Sequence, residues 1–255
     1  DEDPCFTTVR GAGPLTETVV DKRRFYTFIK EHSLAAVPKS VGSEDDPYQA
    51  FSGAFRTRVW RSWRGSARLP RGTLIQERSQ LAAWHDQVAQ IGLATDEWGY
   101  QIQLSPKPKH NISVCGWYDS ETHLACVTRR RGVANGLGWW VERIDDPAYL
   151  VGAATRILRA LEYEGPYELE FVWDHGDGCF RVIELNPRFW MQHRLVQVLT
   201  DHALVRRAMG LSGGHEIVGD GPHHWLQPDV LVTRPWQAAG AMGDGVLAYP
   251  MKGVI

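Results

Sequence analysis

The feature of this sequence that most constrains its fold is an acidic β-hairpin at residues 168–188. Two runs rich in aromatic and β-branched residues, Glu168–Trp173 and Cys179–Arg188, flank the segment Asp174–Gly178. The Asp-Gly pair in that segment supplies the positive φ that a tight turn needs. The pattern therefore predicts two antiparallel strands joined by a short turn.

The acidic residues of this hairpin follow the two-residue period of a strand. Side chains two apart in a strand share a face. Glu184 and Asn186 are therefore predicted to point the same way, with Val182 continuing their face. Glu168 and Glu170 are predicted to share a face of the partner strand. Carboxylates from both strands can then converge with an amide oxygen.

Such a set of hard oxygen donors suits Mg²⁺. This ion takes one or two protein carboxylates and completes its octahedral shell with water and substrate phosphates. Pro187 ends the strand because it lacks an N–H, and Arg188 follows with a fork of donors suited to phosphate or carboxylate. The hairpin therefore predicts a metal site for a bound nucleotide. The alternative is an edge hairpin whose charged face contacts only solvent.

The composition is that of an ordinary folded protein, with 255 residues of which 43% are hydrophobic and 23% charged. The formal net charge of −2 favours neither nucleic acid nor an anionic membrane as a partner. No apolar run approaches the roughly 18 residues of a membrane helix. Four scattered cysteines indicate neither a zinc site nor a disulfide framework. We therefore expect a soluble, cytoplasmic protein, and its first residue, Asp1, predicts a processed chain or a piece of a longer one.

A helix is predicted to begin after Asp21, a typical N-cap residue. Phe25, Phe28 and Ile29 recur behind it at helical spacing. Lys22 falls in the first turn, where the helix dipole favours acidic side chains. Lys22 is therefore either a solvated surface charge or a residue that meets a phosphate.

Basic residues recur in three other segments. The predicted strand Phe55–Arg61 carries several arginines, the loop at residues 62–72 contains Gly65 and Ser66, and a later strand ends in Arg129–Gly132. Backbone N–H groups of a glycine-containing loop bind anions, and arginines at a strand end bind anionic substrates. For each segment the alternative is a basic surface that faces only solvent.

The other periodic segments predict an antiparallel sheet with helices packed on it. The remaining strands are predicted at Tyr100–Leu104, Ile112–Tyr118 and Leu124–Thr128. The remaining helices are predicted at Ser79–Gly92, between Asp146-Pro147 and Gly165, and along Leu195, Val198, Leu199 and Val205, ending near Gly210.

In this order, the segments resemble the ATP-grasp superfamily, in particular its carbamoyl phosphate synthetase-like ATP-binding domains. The similar features are Asp21-Lys22 at a helix start, a strand ending in a basic residue before a Gly-Ser loop, a sheet ending in arginines, and Glu170 followed by Glu184-Leu185-Asn186-Pro187-Arg188. The resemblance covers about Val19 to Leu199, and its most specific part is the hairpin.

The resemblance implies a role for each group of site residues. The ligands of Mg²⁺, or of Mn²⁺, at the ATP phosphates would be Glu170, Glu184 and Asn186. The residues that bind ATP would be Lys22 and Arg61 at the phosphates, Gly65 and Ser66 in a covering loop, Gln103 and Leu104 at the adenine hinge, and Asn111 near the ribose. The residues that meet the transferred phosphoryl group and the accepting carboxylate would be Arg188 with Arg129 or Arg131.

The implied fold is α+β, with two α+β lobes that clasp a nucleotide and an antiparallel sheet in the C-terminal lobe. The predicted division is a linker at residues 1–18, an N-terminal lobe at 19–99, a C-terminal lobe with the metal site at 100–211, and an extension at 212–255. Such ligases usually carry an α/β domain ahead of the Asp21 helix, where this sequence has 20 residues. We therefore expect a missing N-terminal domain or a homo-oligomer.

The implied activity is that of an ATP-dependent ligase acting on small-molecule carboxylate and amine substrates. ATP would convert the carboxylate to an acyl phosphate, which an amine or a similar nucleophile then attacks. This chemistry needs in-line positioning of the phosphoryl group and neutralisation of its charge by metal and arginine. Two alternatives stay open. One is a small-molecule kinase on the same scaffold, and the other is a degenerate module that binds a nucleotide or a partner protein without turnover.

Overall fold

The computed structural model describes residues 12–61, 72–104, 110–134, 137–189, 193, 203–208, 230–232 and 246–248. The helices in these ranges are α1 (Thr16–Val20), α2 (Lys22–Glu31), α3 (Pro47–Ala50), α4 (Arg78–Gln90), α5 (Leu150–Ala160) and α6 (Ala203–Ala208), with 3-10 turns at Gly13–Leu15 and Thr95–Glu97. None of the described helices is long and apolar enough to cross a membrane. Of the helix predicted after the hairpin, Leu195, Val198 and Leu199 lie outside the described residues.

The described strands form two sheets. The strands are β1 (Ser40–Gly42), β2 (Phe55–Val59), β3 (Leu74–Ile75), β4 (Trp98–Ile102), β5 (Asn111–Tyr118), β6 (His123–Ala134), β7 (Leu137–Arg143), β8 (Gly165–Asp174), β9 (Cys179–Asn186), β10 (Val230–Val232) and β11 (Val246–Ala248). The small sheet has the order β1-β4-β2-β3 and is antiparallel throughout. The large sheet has the order β11-β10-β7-β6-β5-β8-β9 and is antiparallel except between β10 and β11. These sheets and helices confirm the α+β fold class and the antiparallel sheet.

The strand predicted at Tyr100–Leu104 corresponds to β4. It pairs with β1 and β2, so it belongs to the small sheet. The predicted boundary between residues 99 and 100 therefore falls within a strand.

Helix α2 begins as the sequence predicts. Asp21 Oδ1 accepts hydrogen bonds from the backbone N–H groups of Arg23 at 2.9 Å and Arg24 at 3.1 Å, which satisfies two donors that the first helical turn leaves unpaired. The backbone N–H of Lys22 donates to the carbonyl of Trp60 at 3.0 Å. The start of α2 is therefore attached to the end of β2.

Each sheet buries one face against helices. Helix α4 covers the small sheet, and the core between them contains Phe55, Trp84, Val88, Trp98 and Tyr100. Helices α2 and α5 cover the large sheet, and that core contains Phe25, Ile29, Val114, Ile157, Leu158, Leu169, Phe171 and Leu185. The apolar positions recur with the helical period in α2 and α5 and at every second residue in β8. Both patterns follow from the burial of one face of each element in the core between the helices and the large sheet.

The hairpin of β8 and β9 contains a β-bulge. Glu170 lies opposite Glu184, but Phe171 lies opposite Val182, so Ile183 is an extra residue in β9. Val182 is fully buried in the same core as Phe171. The prediction that Val182 continues the face of Glu184 is therefore wrong, because the extra residue turns Val182 to the opposite side of the sheet.

The turn of this hairpin lies where the sequence predicts it. Asp174 Oδ1 accepts a hydrogen bond from the backbone N–H of Gly176 at 2.9 Å, and Gly178 has a φ of +62°. Arg181 contacts Asp174 Oδ2 at 2.5 Å and also forms an ion pair with Asp177. These contacts stabilise the end of the hairpin that lies away from Glu184.

Candidate functional site

Four polar side chains lie on the face of the hairpin opposite the core, and we call Glu168, Glu170, Glu184 and Asn186 the carboxylate cluster. Glu168 lies opposite Asn186 and Glu170 lies opposite Glu184. Asn186 Nδ2 donates to Glu168 Oε2 at 3.1 Å and to Glu170 Oε1 at 3.3 Å. The structure therefore brings together the three residues predicted to bind the metal, along with a third carboxylate.

Among the residues that the structure describes, two cations contact this cluster. Lys22, at the start of α2, forms an ion pair with Glu184. Arg130 Nη2, from β6, lies 2.6 Å from Glu170 Oε1 and 3.6 Å from Glu168 Oε1. The exposed fraction of the side chain is 0% for Glu168, 9% for Glu170 and 27% for Glu184, so Glu184 is the most accessible carboxylate of the three.

The crowding of charge shifts the pKa values of the cluster in opposite directions. Burial, and then the Glu184 carboxylate, raise the pKa of Glu170 to about 8, against the effect of Arg130. Burial would also raise the pKa of Glu184, but this pKa is lowered to about 2 because three cations outweigh burial: Lys22, Arg58 and Arg130. Near pH 7 the proton of this pair therefore resides on Glu170, and a divalent cation would compete with it.

A hydrogen-bond network connects the small sheet to the bulge. Arg58 Nε donates to Gln101 Oε1 at 3.2 Å. The hydroxyl of Tyr26 donates to the carbonyl of Ile183 at 2.9 Å and lies 3.4 Å from Gln101 Oε1. Sequence reasoning missed this network, because its members come from four distant segments.

The predicted phosphate-binding residues have different surroundings. Lys22 contacts the cluster, whereas Arg61 forms an ion pair with Glu17 of α1. The side chains of this second pair are 45% and 60% exposed. Gly65 and Ser66 lie outside the described residues.

The predicted adenine and ribose residues lie at the ends of strands. Gln103 follows β4, and its Nε2 donates to the carbonyl of Leu104 at 2.9 Å. The side chain of Leu104 is buried. Asn111 begins β5 and lies two residues before Ser113, which is opposite Glu170. By strand alternation, Asn111 therefore lies on the same face of the large sheet as the carboxylate cluster.

The strand predicted to end in Arg129–Gly132 continues as β6 to Ala134, and Arg129 and Arg130 lie on opposite faces of the large sheet. Arg129 lies opposite Glu142 of β7, and its Nε donates to Glu142 at 2.7 Å, while Arg130 contacts the cluster. The side chain of Arg131 is outside the described part of the structure. Arg188 is exposed and lies two residues beyond Asn186. Sequence reasoning named the two neighbours of Arg130 instead of Arg130 because the register of β6 was unknown.

The donor set restricts the kind of metal site that the cluster can form. Within the described ranges, no group of three or more His, Cys, Asp and Glu side chains is arranged to hold a metal ion by itself. Glu170, Glu184 and Asn186 supply two carboxylates and one amide oxygen, which fits a hard ion that takes its other ligands from water and phosphate. These residues are therefore suited to an ion that arrives with a nucleotide.

A protein-family model matches the segment of the chain that contains this hairpin. Residues 144–218 match the family model described as "Carbamoyl-phosphate synthase L chain, ATP binding domain". The matched segment covers less than a third of the chain and includes the whole carboxylate cluster. No curated protein is similar enough in sequence to match the chain.

Three solved structures are similar to this chain in fold. Pyruvate carboxylase from Rhizobium etli is 18% identical with a TM-score of 0.59, over 79% of this chain and 18% of its own. L-amino acid ligase from Bacillus licheniformis is 13% identical with a TM-score of 0.55, over 76% of this chain and 48% of its own. The biotin carboxylase domain of 2-oxoglutarate carboxylase from Hydrogenobacter thermophilus, solved with MgADP and bicarbonate, is 15% identical with a TM-score of 0.58, over 81% of this chain and 48% of its own. The chain thus spans less than half the length of each of these proteins.

Proposed function

We propose that this chain, which has the ATP-grasp fold predicted from its sequence, is an ATP-dependent ligase that activates a carboxylate as an acyl phosphate for attack by an amine or a similar nucleophile. The observation that carries the proposal is the convergence of Glu170, Glu184 and Asn186 on one face of the hairpin, with Lys22 reaching Glu184 from helix α2. This places oxygen donors for a metal beside an ammonium group suited to a phosphate.

Glu170, Glu184 and Asn186 would hold Mg²⁺ or Mn²⁺. When bound, the ion would neutralise charge on the phosphate oxygens of ATP. The MgADP in the 2-oxoglutarate carboxylase structure supports the choice of a nucleotide with magnesium. The ion pair of Lys22 with Glu184 would open, because the carboxylate would then face the cation and the ammonium would face a phosphate.

The other predicted roles complete the site. Arg61, Gly65 and Ser66 would bind or cover the phosphates, and Gln103, Leu104 and Asn111 would bind the nucleoside. The guanidinium of Arg188, with Arg131, would bind the accepting carboxylate and the phosphoryl group in line. Arg129 pairs with Glu142 on the other face of the large sheet, so it is not proposed to share this site. Positioning and charge neutralisation are the main contributions that phosphoryl transfer requires from a protein.

A trapping assay tests this function. The purified chain is incubated with MgATP, hydroxylamine and a panel of amino acids and other small carboxylates, and ADP and hydroxamate are measured. Hydroxylamine attacks an acyl phosphate and converts it to a stable hydroxamate, so a ligase gives ADP and hydroxamate in equal amounts. A kinase would instead give ADP and a stable phosphorylated product.

Glu184→Gln is the matched inactive variant, because it removes a charge at nearly constant volume. It should abolish hydroxamate formation while circular dichroism stays unchanged. Asp174→Asn makes the same kind of change at the far end of the hairpin, where Asp174 contacts Arg181, and should leave turnover intact. Full turnover by Glu184→Gln would refute the proposed metal site, and the absence of ATP turnover with every carboxylate would refute the ligase proposal.

A further inference from the structure

Glu168 is a carboxylate of the cluster to which the proposed reaction assigns no role. Its side chain is 0% exposed, and its contacts with described residues include Ser113, Asn186 and Arg130. Ser113 Oγ donates to Oε1 at 2.9 Å, Asn186 Nδ2 donates to Oε2 at 3.1 Å, and Arg130 Nη2 lies 3.6 Å from Oε1. A buried carboxylate is costly even when it is paired, so its position beside the metal ligands requires an explanation.

One consequence of this position concerns the amide of Asn186. The Nδ2 group donates to both Glu168 and Glu170, so the amide oxygen is directed away from these two carboxylates. When Glu168 and Glu170 are both ionised, the flipped amide would place its oxygen against two carboxylates and is therefore disfavoured. Only the oxygen end of an amide binds a cation. Because Glu170 is itself a proposed ligand, an ion would draw it away from Nδ2, whereas the fully buried Glu168 can keep the amide in place.

A second consequence concerns the charge of Arg130. This guanidinium lies 2.6 Å from Glu170, a proposed metal ligand. Without Glu168, the positive charge of Arg130 would be balanced by the proposed metal ligands Glu170 and Glu184 and would oppose a bound cation. With Glu168 present, one carboxylate balances Arg130. Glu170 and Glu184 then supply the two negative charges that a divalent ion needs once Lys22 turns to a phosphate.

We infer that Glu168 is a positioning residue of the metal site, which fixes the Asn186 amide with its oxygen available to the cation and compensates the charge of Arg130. Glu168 would not itself contact the ion. This inference rests on the proposed function, because it assumes that the cluster binds a divalent cation together with a nucleotide.

The test is the affinity of Mn²⁺ for the full chain in the presence of ADP, followed by the electron paramagnetic resonance signal of free Mn²⁺. Glu168→Gln keeps the volume of the side chain and removes its charge. We expect the Kd of Mn²⁺ to rise by about 10- to 100-fold, the range found when residues that orient metal ligands are replaced. The Kd of ADP measured without metal should not change. Glu168→Asp retains the charge and should give a Kd of Mn²⁺ between those of the unaltered chain and Glu168→Gln.

Asp174→Asn is the control for the loss of a partly buried ion pair elsewhere in the same hairpin. If Glu168→Gln is destabilised like Asp174→Asn but binds Mn²⁺ as tightly as the unaltered chain, Glu168 is only structural and the inference is wrong, while the proposed function stands. If Glu168→Gln does not fold, Glu168→Asp decides, and an unchanged Kd of Mn²⁺ in that variant overturns the inference. If the unaltered chain binds no Mn²⁺ with ADP, both the inference and the proposed function fail.

Discussion

Replacing Lys22 with methionine tests the charge balance of the carboxylate cluster. Methionine has a similar length but no charge, so Glu184 loses the cation with which it is paired. Without ligands, we expect the variant to unfold more easily than the unaltered chain. Mn²⁺ alone should bind the variant more tightly, because Glu184 no longer has to leave an ammonium group. ADP should increase the affinity of Mn²⁺ less in the variant than in the unaltered chain, because the proposed contact between Lys22 and a phosphate is lost.

The size of the stability change follows from the burial of the pair. Exposed ion pairs contribute about 0.2–1 kcal/mol, whereas removing one partner of a fully buried pair costs about 3–5 kcal/mol. The side chains of Lys22 and Glu184 are 14% and 27% exposed, so this pair lies between the two limits. We therefore expect the free energy of unfolding to fall by about 2 kcal/mol.

The assay is urea denaturation of both proteins with a chelator and again with Mn²⁺, together with a direct titration of Mn²⁺. With saturating Mn²⁺ the stability difference should shrink, because a ligand that binds the folded state more tightly stabilises it more. Arg207→Met is the control. Arg207 lies 3.4 Å from Glu121 and 3.7 Å from Asp119, and its loss should not change the affinity of Mn²⁺.

Two results would refute this reasoning. The first is equal stability of Lys22→Met and the unaltered chain in the chelator, which would mean that the ion pair does not compensate the cluster. The second is an unchanged affinity for Mn²⁺ alone, which would mean that Lys22 does not compete with a cation for Glu184.

Three further predictions follow from other contacts. Because the pKa of Glu170 is raised to about 8, binding of Mn²⁺ with ADP at pH 7 should release a proton and tighten as the pH rises. Calorimetry in buffers of different ionisation enthalpy would reveal this release. Its absence would contradict the assignment of Glu170 as a metal ligand. Tyr26→Phe should lower the free energy of unfolding by about 1–2 kcal/mol, because the Ile183 carbonyl loses its hydrogen bond. Urea denaturation measures this change, and an unchanged midpoint would count against the contact. Burial lowers the pKa of His123 from 6.5 to about 4, so between these pH values only the unfolded state binds this proton. The stability that neutral His123 provides is therefore lost as the pH falls from 6.5 to 4. In urea melts across this range, the free energy of unfolding of His123→Gln should decline less steeply than that of the unaltered chain.

The parts of the fold that the sequence predicts are those determined by neighbouring residues. The turn at Asp174–Gly178 follows from its glycines, and the start of α2 follows from Asp21 and the apolar spacing behind it. The α+β fold class follows from the alternation along the chain between segments with the helical period and segments with the two-residue period of a strand. The hairpin pattern also predicts that Glu170 and Glu184 lie on adjacent antiparallel strands, because a short turn restricts which residues can pair.

The parts that the sequence does not predict depend on register and on contacts between distant segments. The bulge at Ile183 adds one residue to one strand only, and no residue type in β9 requires it. Arg130, rather than Arg129, contacts the cluster because of the register of β6 in the large sheet. The pairing of Lys22 with Glu184 joins residues 162 positions apart, so no local pattern contains it.

The bulge also explains how the cluster is connected to the rest of the chain. Because Ile183 is an extra residue, its carbonyl can accept the hydroxyl of Tyr26, while the neighbouring Val182 N–H donates to the carbonyl of Ala36 at 2.9 Å. Lys22 lies one helical turn before Tyr26, so the two side chains project from the same face of α2. One helix face therefore contacts two consecutive residues of β9, Ile183 and Glu184. A ligand that draws Lys22 away from Glu184 acts on the same contact that holds α2 against the hairpin, so binding at the cluster should alter the packing of α2 on β9.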